Sequence, residues 1–579
     1  MYQKNGKSLF KLSALALAIA GTAFVAGCSD DDNDSSTQAS AFDSDNQKLT
    51  RLATVPLGSE VTGLFLSEEG DLFFNVQHPS DSNMTEDADG NVFSAAAVGV
   101  IRSADFAASD LGFNELSMPA TAEEKELVRT AIGSYDVLAQ NGDAWAGAPT
   151  GGMGAINTLD GTATIKVSND PDFNAFISTG AGEGYLFTNW EDRPGGMSRM
   201  KIRKDDNGNW NVVDNDVMMI DFGTVAGTWV NCFGTLSPWG NPLTSEELYF
   251  DATADWNNSN YNYISDVEAL ETYLGEYPNP YNYGYIVEIT EPTAATPVPV
   301  KMRALGRFSH ENAVVMPDEK TVYLSDDGTG TVFFKFIADT AGDLTSGTLY
   351  AAKATQDGSN DPAVAGFDLE WVELASGDNA TIESWVAEYD GIDQTDFVDG
   401  STSYISDAEI NNWAEGKLNQ DLDGDGTVED DTFGDDRVAF LESRKAAAAL
   451  GATAEFRKME GVNINLEGAA DGSVPFAYMA MANFNATMGD DQGDILLDAT
   501  NGDCGVVYQM PLSPTFDITR MVPAIVGGPY DENATVNNCS ADNISEPDNV
   551  LVLRDGRVLI GEDTGEHENN MLWLFDPEA

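Results

Sequence analysis

A thiol and two adjacent carboxylates frame the stretch CFGTLSPWGNPLTSEE: Cys232 opens it, Glu246 and Glu247 close it, and Glu247 lies fifteen residues after Cys232. Sulfur and carboxylate oxygen both bind metals. Together they favour a transition metal such as iron or zinc, whereas carboxylates alone suit calcium. The interval recurs: Glu60 is followed at fifteen by Asn75, Asn174 by Asn189, Glu311 by Asp326 and Asp548 by Asp563, while Glu460 opens a further segment with a longer turn. Asp and Asn at such positions can be plain turn or capping residues. A cysteine caps nothing well, so metal binding accounts better for the place that Cys232 takes among them.

Each segment carries two β-rich runs around a Gly, Asp or Glu turn, the pattern of an antiparallel hairpin. Six such units spread over about 500 residues point to radial repetition. The expected fold is all-β: a six-bladed β-propeller with helical insertions, spanning residues 56–579. In that architecture the openers Glu60, Cys232, Glu311, Glu460 and Asp548 face one axial space, joined by the closers Glu247, Asp326 and Asp563. Crowded carboxylates raise one another's pKa until some protonate, and bound cations remove that conflict.

A second acidic motif lies apart from these hairpins. DLDGDGTVEDD (421–431) has the D-x-D-x-D-G opening of an EF-hand loop, with Asp421, Asp423 and Asp425 as candidate calcium ligands and Gly426 at the sharp turn. Position twelve is Thr432 in place of the usual glutamate, so Glu429, Asp430 or Asp431 must complete the shell. Helical sequence on both sides predicts an insertion over about 380–455.

The balance of 96 acidic to 29 basic residues, a formal charge of −67, excludes a nucleic-acid partner, because phosphate backbones are repelled. Residues 1–27 have a Lys-bearing start and an apolar run ending in VAG before Cys28. They read as an export signal with a lipobox, so Cys28 is the expected lipidation site. Several acyl chains on one residue give stable anchoring without a transmembrane helix. The acidic, Ser-rich stretch 28–55 reads as a flexible tether. Ser29 after Cys28 favours the outer membrane of a Gram-negative envelope. In an oxidising compartment Cys504 and Cys539, both in loop-like sequence, are the expected disulfide, which leaves Cys232 unpaired.

The stretches VNCFGTLSPWGNPLTSEE (230–247), GRFSHENAVV (306–315), FRKMEGV (456–462) and PDNVLVLRDGRVLIGED (547–563) resemble PhoX-type alkaline phosphatases, with FTNWE (187–191) a weaker match. The resemblance implies a propeller whose channel holds two ferric ions (Fe3+) bridged by oxide, with calcium ions (Ca2+) beside them. It makes Cys232, Glu247, Glu311 and Glu460 the iron ligands and assigns Glu246, Asp548, Asp563 and Glu60 to calcium. The family's phosphate-holding arginine falls at Lys458, with Arg457 one residue earlier, so either is the candidate to steady the phosphoryl group. Three further departures stand out. There is no twin-arginine signal, and EVTGLFLSEEGDLFFNVQHP (60–79) comes first here although the family carries its counterpart near the C-terminus. Trp190 stands where relatives commonly have histidine, which weakens Glu191 as a ligand.

The activity so implied is metal-dependent hydrolysis of small phosphomonoesters by a monomer at the cell envelope. Two other readings are open: a catalytically silent calcium-binding propeller that presents its rim to a partner, and a phosphodiesterase. The three histidines, His78, His310 and His567, are too few for a histidine-built zinc centre. His310, beside Glu311, is placed to donate to it or shuttle a proton, or is simply a hydrogen-bonded surface group.

Overall fold

The computed structural model describes residues 48–108, 111–247, 253–422, 424–429 and 432–579. The expected signal, Cys28 and most of the expected tether lie outside them. The end of that tether is not a linker: Lys48–Thr54 is a strand that pairs antiparallel with Met571–Asp576, Lys48 opposite Asp576. Its Leu52 and Ala53 are fully buried, and that apolar surface is what draws the segment into the sheet.

The described chain is mostly β, and its main sheets are antiparallel. The first sheet begins with Glu60–Leu66, the second with Pro171–Gly180 and the third with Asn231–Leu236. The fourth begins with His310–Val315, the fifth with Met459–Ile464 and the sixth with Pro547–Val552; the fourth and fifth are joined edge to edge into one nine-stranded sheet, where Phe367–Asp378 pairs with Arg520–Val526. These opening strands touch one another in chain order, and the last touches the first again. Lys48–Thr54 joins the sixth sheet, between Met571–Asp576 and the short edge strand Arg129–Thr130, so both ends of the described chain share one sheet.

Hydrophobic clusters fill the gaps between neighbouring sheets all the way round. Phe73, Leu186 and Met200 join the first and second sheets, and Phe173, Phe233 and Val287 the second and third. Val61, Phe74, Leu559 and Leu572 join the sixth to the first. The strands bury both faces, which is why their apolar runs are nearly continuous rather than alternating.

Helices enter as insertions. Asn379–Val386, Asp407–Ala414, Arg437–Leu441 and Ser443–Ala449 occupy the expected region. Ser406 and Glu409 form a reciprocal capping box that starts the second of them. Two elements were not expected from sequence: a long hairpin, Asp343–Gln356 with Phe367–Asp378, and a helix, Ile264–Leu274, inside the third sheet. Cys504 and Cys539 are disulfide-bonded, and Cys232 is free and buried.

Candidate metal centre

Every opening hairpin carries the same irregularity. In the third sheet Asn231 pairs with Glu246, but the next pair is Gly234 with Thr244, one residue out of step. The same shift follows Thr62, Pro171, His310, Met459 and Pro547. It is a β-bulge, which re-aims the residue after it. That residue is Asp172, Cys232, Glu311, Glu460 or Asp548 in the last five sheets, and all five line one cavity. In the first sheet it is Gly63, whose φ is +63° and whose added Cβ would lie 2.3 Å from Asn75 Nδ2 and 2.4 Å from the Asp172 carbonyl oxygen.

A second constant places the closing residues. The backbone N–H of Glu191 donates to the Asp170 carbonyl (2.8 Å), Glu247 to Val230 (2.9 Å), Asp327 to Ser309 (2.9 Å) and Asp563 to Glu546 (3.3 Å). In each case the acceptor lies two residues before the bulged position. Glu191, Glu247, Asp327 and Asp563 line the same cavity. In the fifth sheet the equivalent bond runs from Ala482 to Lys458 (3.0 Å), so there the closing position has no carboxylate.

The residue just before each closer points the other way. Glu246 does not face the cavity as expected: its Oε1 lies 2.9 Å from Lys301 Nζ, and its carboxylate also accepts from the backbone N–H of Trp229 and Tyr285. Asp326 likewise takes Arg444 as partner, and its neighbour Asp327 occupies the cavity wall. Glu562 pairs with His567 at 3.1 Å.

The cavity has a volume of about 270 Å³. Among the described residues, ten carboxylates and the Cys232 thiol line it, against only Lys458, Arg193 and His78 as cationic groups. Four sets have one ligand atom per residue within 4.8 Å of the others: Asp172, Glu191 and Cys232; Cys232, Glu247 and Glu311; and Glu311, Glu460 and Asp548, which overlap through Cys232 and Glu311; and separately Glu60, His78 and Asp563. Cys232 Sγ stands 2.9 Å from Asp172 Oδ2 and 3.2 Å from Glu311 Oε2.

The electrostatics are those of a site built for cations. Burial, reinforced by Asp172 and Glu311, pushes the Cys232 thiol's pKa well up. Burial and neighbouring carboxylates raise Glu311 and Asp548 well above the ordinary range and Glu191 to about 8. Asp172 Oδ1 is buried with no hydrogen-bond partner. So many buried acids without matching protein cations fit metal ions, and the donor set of thiol and carboxylates fits a mixture of softer and harder ones.

Lys458 sits at φ +46° at the rim, its Nζ 2.9 Å from Glu460 Oε1 and 3.7 Å from Asp327 Oδ2. Burial lowers its pKa, but Asp327, Glu460 and Asp563 outweigh that and hold it above the ordinary lysine value. Arg457 turns away from the cavity to Thr329 and Asn483, so of the two phosphate candidates only Lys458 lines the site. Glu60 does reach the cavity, but from three residues before Gly63, where it pairs with Gln77 and contacts His78. Asn174 is not a bulged position. Its amide is buried against Asn75 Oδ1 (2.7 Å) and the Gly63 carbonyl (3.0 Å). His310 is neither at the surface nor in the cavity: it stacks on Phe308 with Nε2 donating to the Gly306 carbonyl (2.9 Å), and burial lowers its pKa to about 3. Asp172 and Asp327 escape a fixed interval because their place depends on the bulge, while Asp170 and Arg193, which also line the cavity, lie before the bulge and in the loop after the closing Glu191.

In the insertion, ligand atoms of Asp421, Asp425 and Glu429 lie within 4.8 Å of one another, and Asp423 is outside the described residues. The Asp421 carboxylate accepts from the N–H of Gly424 (2.5 Å) and Gly426 (2.7 Å).

The alkaline phosphatase PhoX family model matches residues 134–576. The chain belongs to the PhoX family. The matched range leaves out the Glu60 hairpin. No curated protein matches the chain. Among solved structures it is similar to Pseudomonas fluorescens PhoX in complex with vanadate, at 17% identity over 92% of this chain and 88% of that one, with a TM-score of 0.49. It is also similar to a putative oxidoreductase (glucose dehydrogenase) from Thermus thermophilus, at 10% identity over 92% and 100% with a TM-score of 0.32. A third is Trypanosoma rangeli sialidase, at 8% over 91% and 55% with a TM-score of 0.33. As a PhoX family member the chain is an alkaline phosphatase-like phosphoesterase.

Proposed function

We propose that the chain is a metal-dependent phosphomonoesterase of the cell envelope, built on a six-bladed β-propeller whose axial cavity is the active site. The observation that carries this is the convergence of Asp172, Cys232, Glu311, Glu460 and Asp548 from five separate bulges on one cavity. The closed succession of opening strands supports the propeller.

Cys232, Asp172, Glu191, Glu247, Glu311 and Glu460 would hold iron, and Asp548, Asp563 and Glu60 calcium. Bound there, such ions supply Lewis-acid stabilisation of phosphoryl charge and a water activated at neutral pH. The chain's own residues do the rest. The bulges fix ligand positions before substrate arrives, so little reorganisation accompanies the reaction. Lys458, held by Asp327 and Glu460, presents a point charge to phosphoryl oxygens at the rim. At about 270 Å³ the cavity is smaller than the ~300–1,000 Å³ of sites that enclose drug-sized ligands, so the phosphoryl head enters and the ester group stays outside.

An exported, lipid-anchored location in the outer membrane is part of the proposal, supported by VAGC at 25–28, by Ser29 and by a disulfide of the kind oxidising compartments keep. The test is turnover of a chromogenic phosphomonoester against a diester by the purified chain, before chelation, after it and after remetallation. Monoester turnover lost and restored with metal supports the reading; a fully metallated chain that hydrolyses neither ester overturns it.

A further inference from the structure

Resting on that reading of the cavity, we propose that Arg193 is a second substrate-binding cation, which grips the phosphoryl group as a fork from the wall facing Lys458. Arg193 lines the cavity just past Glu191, the closing residue of the second sheet. Lys458 precedes the bulge of the fifth sheet. Those two sheets stand three steps apart round the ring in either direction. The two side chains are equally exposed, at 30% each, so both combine a buried stem with a reachable charge.

The loop that carries Arg193 is fastened on both sides. The Arg193 N–H donates to Asp192 Oδ1 (2.8 Å), and Lys166 Nζ holds the same carboxylate oxygen (2.5 Å). The N–H of Gly195 donates to the Thr228 carbonyl, and that of Val230 to the Asp192 carbonyl, both at 2.9 Å. Gly195 leaves no room to shift, since a Cβ there would lie 2.1 Å from Asn231 Oδ1. Arg193 Nε is steered by Asp266 Oδ2 at 3.6 Å, from the helix Ile264–Leu274. A guanidinium presented this way is pre-oriented, and its planar fork matches phosphate bidentately where an ammonium offers only a point charge. An anionic ester approaching ten carboxylates needs such a charge at the entrance, and Arg193 supplies the planar grip that Lys458 cannot.

The experiment measures inorganic phosphate binding by calorimetry, with kcat/KM for a phosphomonoester and metal content, on the metal-loaded full chain and on Arg193→Ala, Arg193→Lys and Asp266→Asn. Arg193→Ala is expected to weaken phosphate binding and kcat/KM by about 10- to 100-fold with metal content unchanged. Arg193→Lys should recover part of that loss, and Asp266→Asn, which loosens the steering of the guanidinium, should cost less than Arg193→Ala. The Lys variant keeps the charge, so it decides the matter should the Ala variant fail to fold. Phosphate binding by Arg193→Lys equal to wild type overturns the fork. A loss of metal from Arg193→Ala that parallels its loss of phosphate binding also overturns it, because it marks the arginine as structural. A metallated wild-type chain that neither binds phosphate nor turns over an ester removes the underlying reading, and this inference with it.

Discussion

Lys301 Nζ stands 2.9 Å from Glu246 Oε1, and both side chains are buried, at 2% and 0% exposure. The next residue along, Glu247, faces the cavity. Asp326 with Arg444 and Glu562 with His567 repeat the arrangement at equivalent places in the fourth and sixth sheets. Adjacent acids are thus divided by strand alternation into one that meets a protein cation inside the sheet and one that lines the cavity.

Breaking that pair separates structure from metal binding. Lys301→Met leaves a buried carboxylate uncompensated and is expected to lower stability by about 3–5 kcal/mol. Adding Glu246→Gln should recover most of the loss. Glu247→Gln is expected to lower metal content with little change in the stability of the metal-free protein. Denaturant unfolding and elemental analysis of the three variants check this.

Cys232→Ser keeps a small polar group but replaces the sulfur donor. Loss of partners outside the ligand shell typically costs 10–100-fold, so losing a ligand should cost at least about 100-fold in turnover. The fold should persist, since Cys232 is a single residue in a cavity wall. Far-UV circular dichroism alongside the assay distinguishes the two effects.

Metal removal should destabilise the whole molecule, because the acids drawn together by the bulges then repel one another. Rebinding at a hundredfold excess over the dissociation constant stabilises by about 2.7 kcal/mol for each independent site. Thermal unfolding with and without chelator measures it, and a chelator-insensitive midpoint argues against metal in the cavity.

Replacing Cys504 and Cys539 together by serine removes the disulfide and is expected to cost about 2–4 kcal/mol. Turnover at low temperature should be retained, because neither cysteine lines the cavity.

Much of this was legible in the sequence. Cys232, Glu311, Glu460 and Asp548 could be read as equivalent, because each opens an apolar β-run after a break. The fixed interval was the weaker guide. It is fifteen from Cys232 to Glu247 and from Asp548 to Asp563, but the structural closer of Glu311 is Asp327, sixteen away, and that of Asp172 is Glu191, nineteen away. Turn length varies between hairpins, whereas bulge register does not. Counting residues therefore selected Asn174, two residues past Asp172, and Asp326, one short of Asp327, where a one-residue error turns the side chain to the opposite face. The Lys301–Glu246 pair was out of reach for another reason: the lysine comes from the far strand of the same sheet, and nothing local announces it.

The most direct measurement is anomalous scattering at the iron edge from crystals of the purified, active chain. The account predicts iron peaks within bonding distance of Cys232 Sγ and Glu311, and none beside Glu246. An active chain with no metal peak near Cys232 would contradict it.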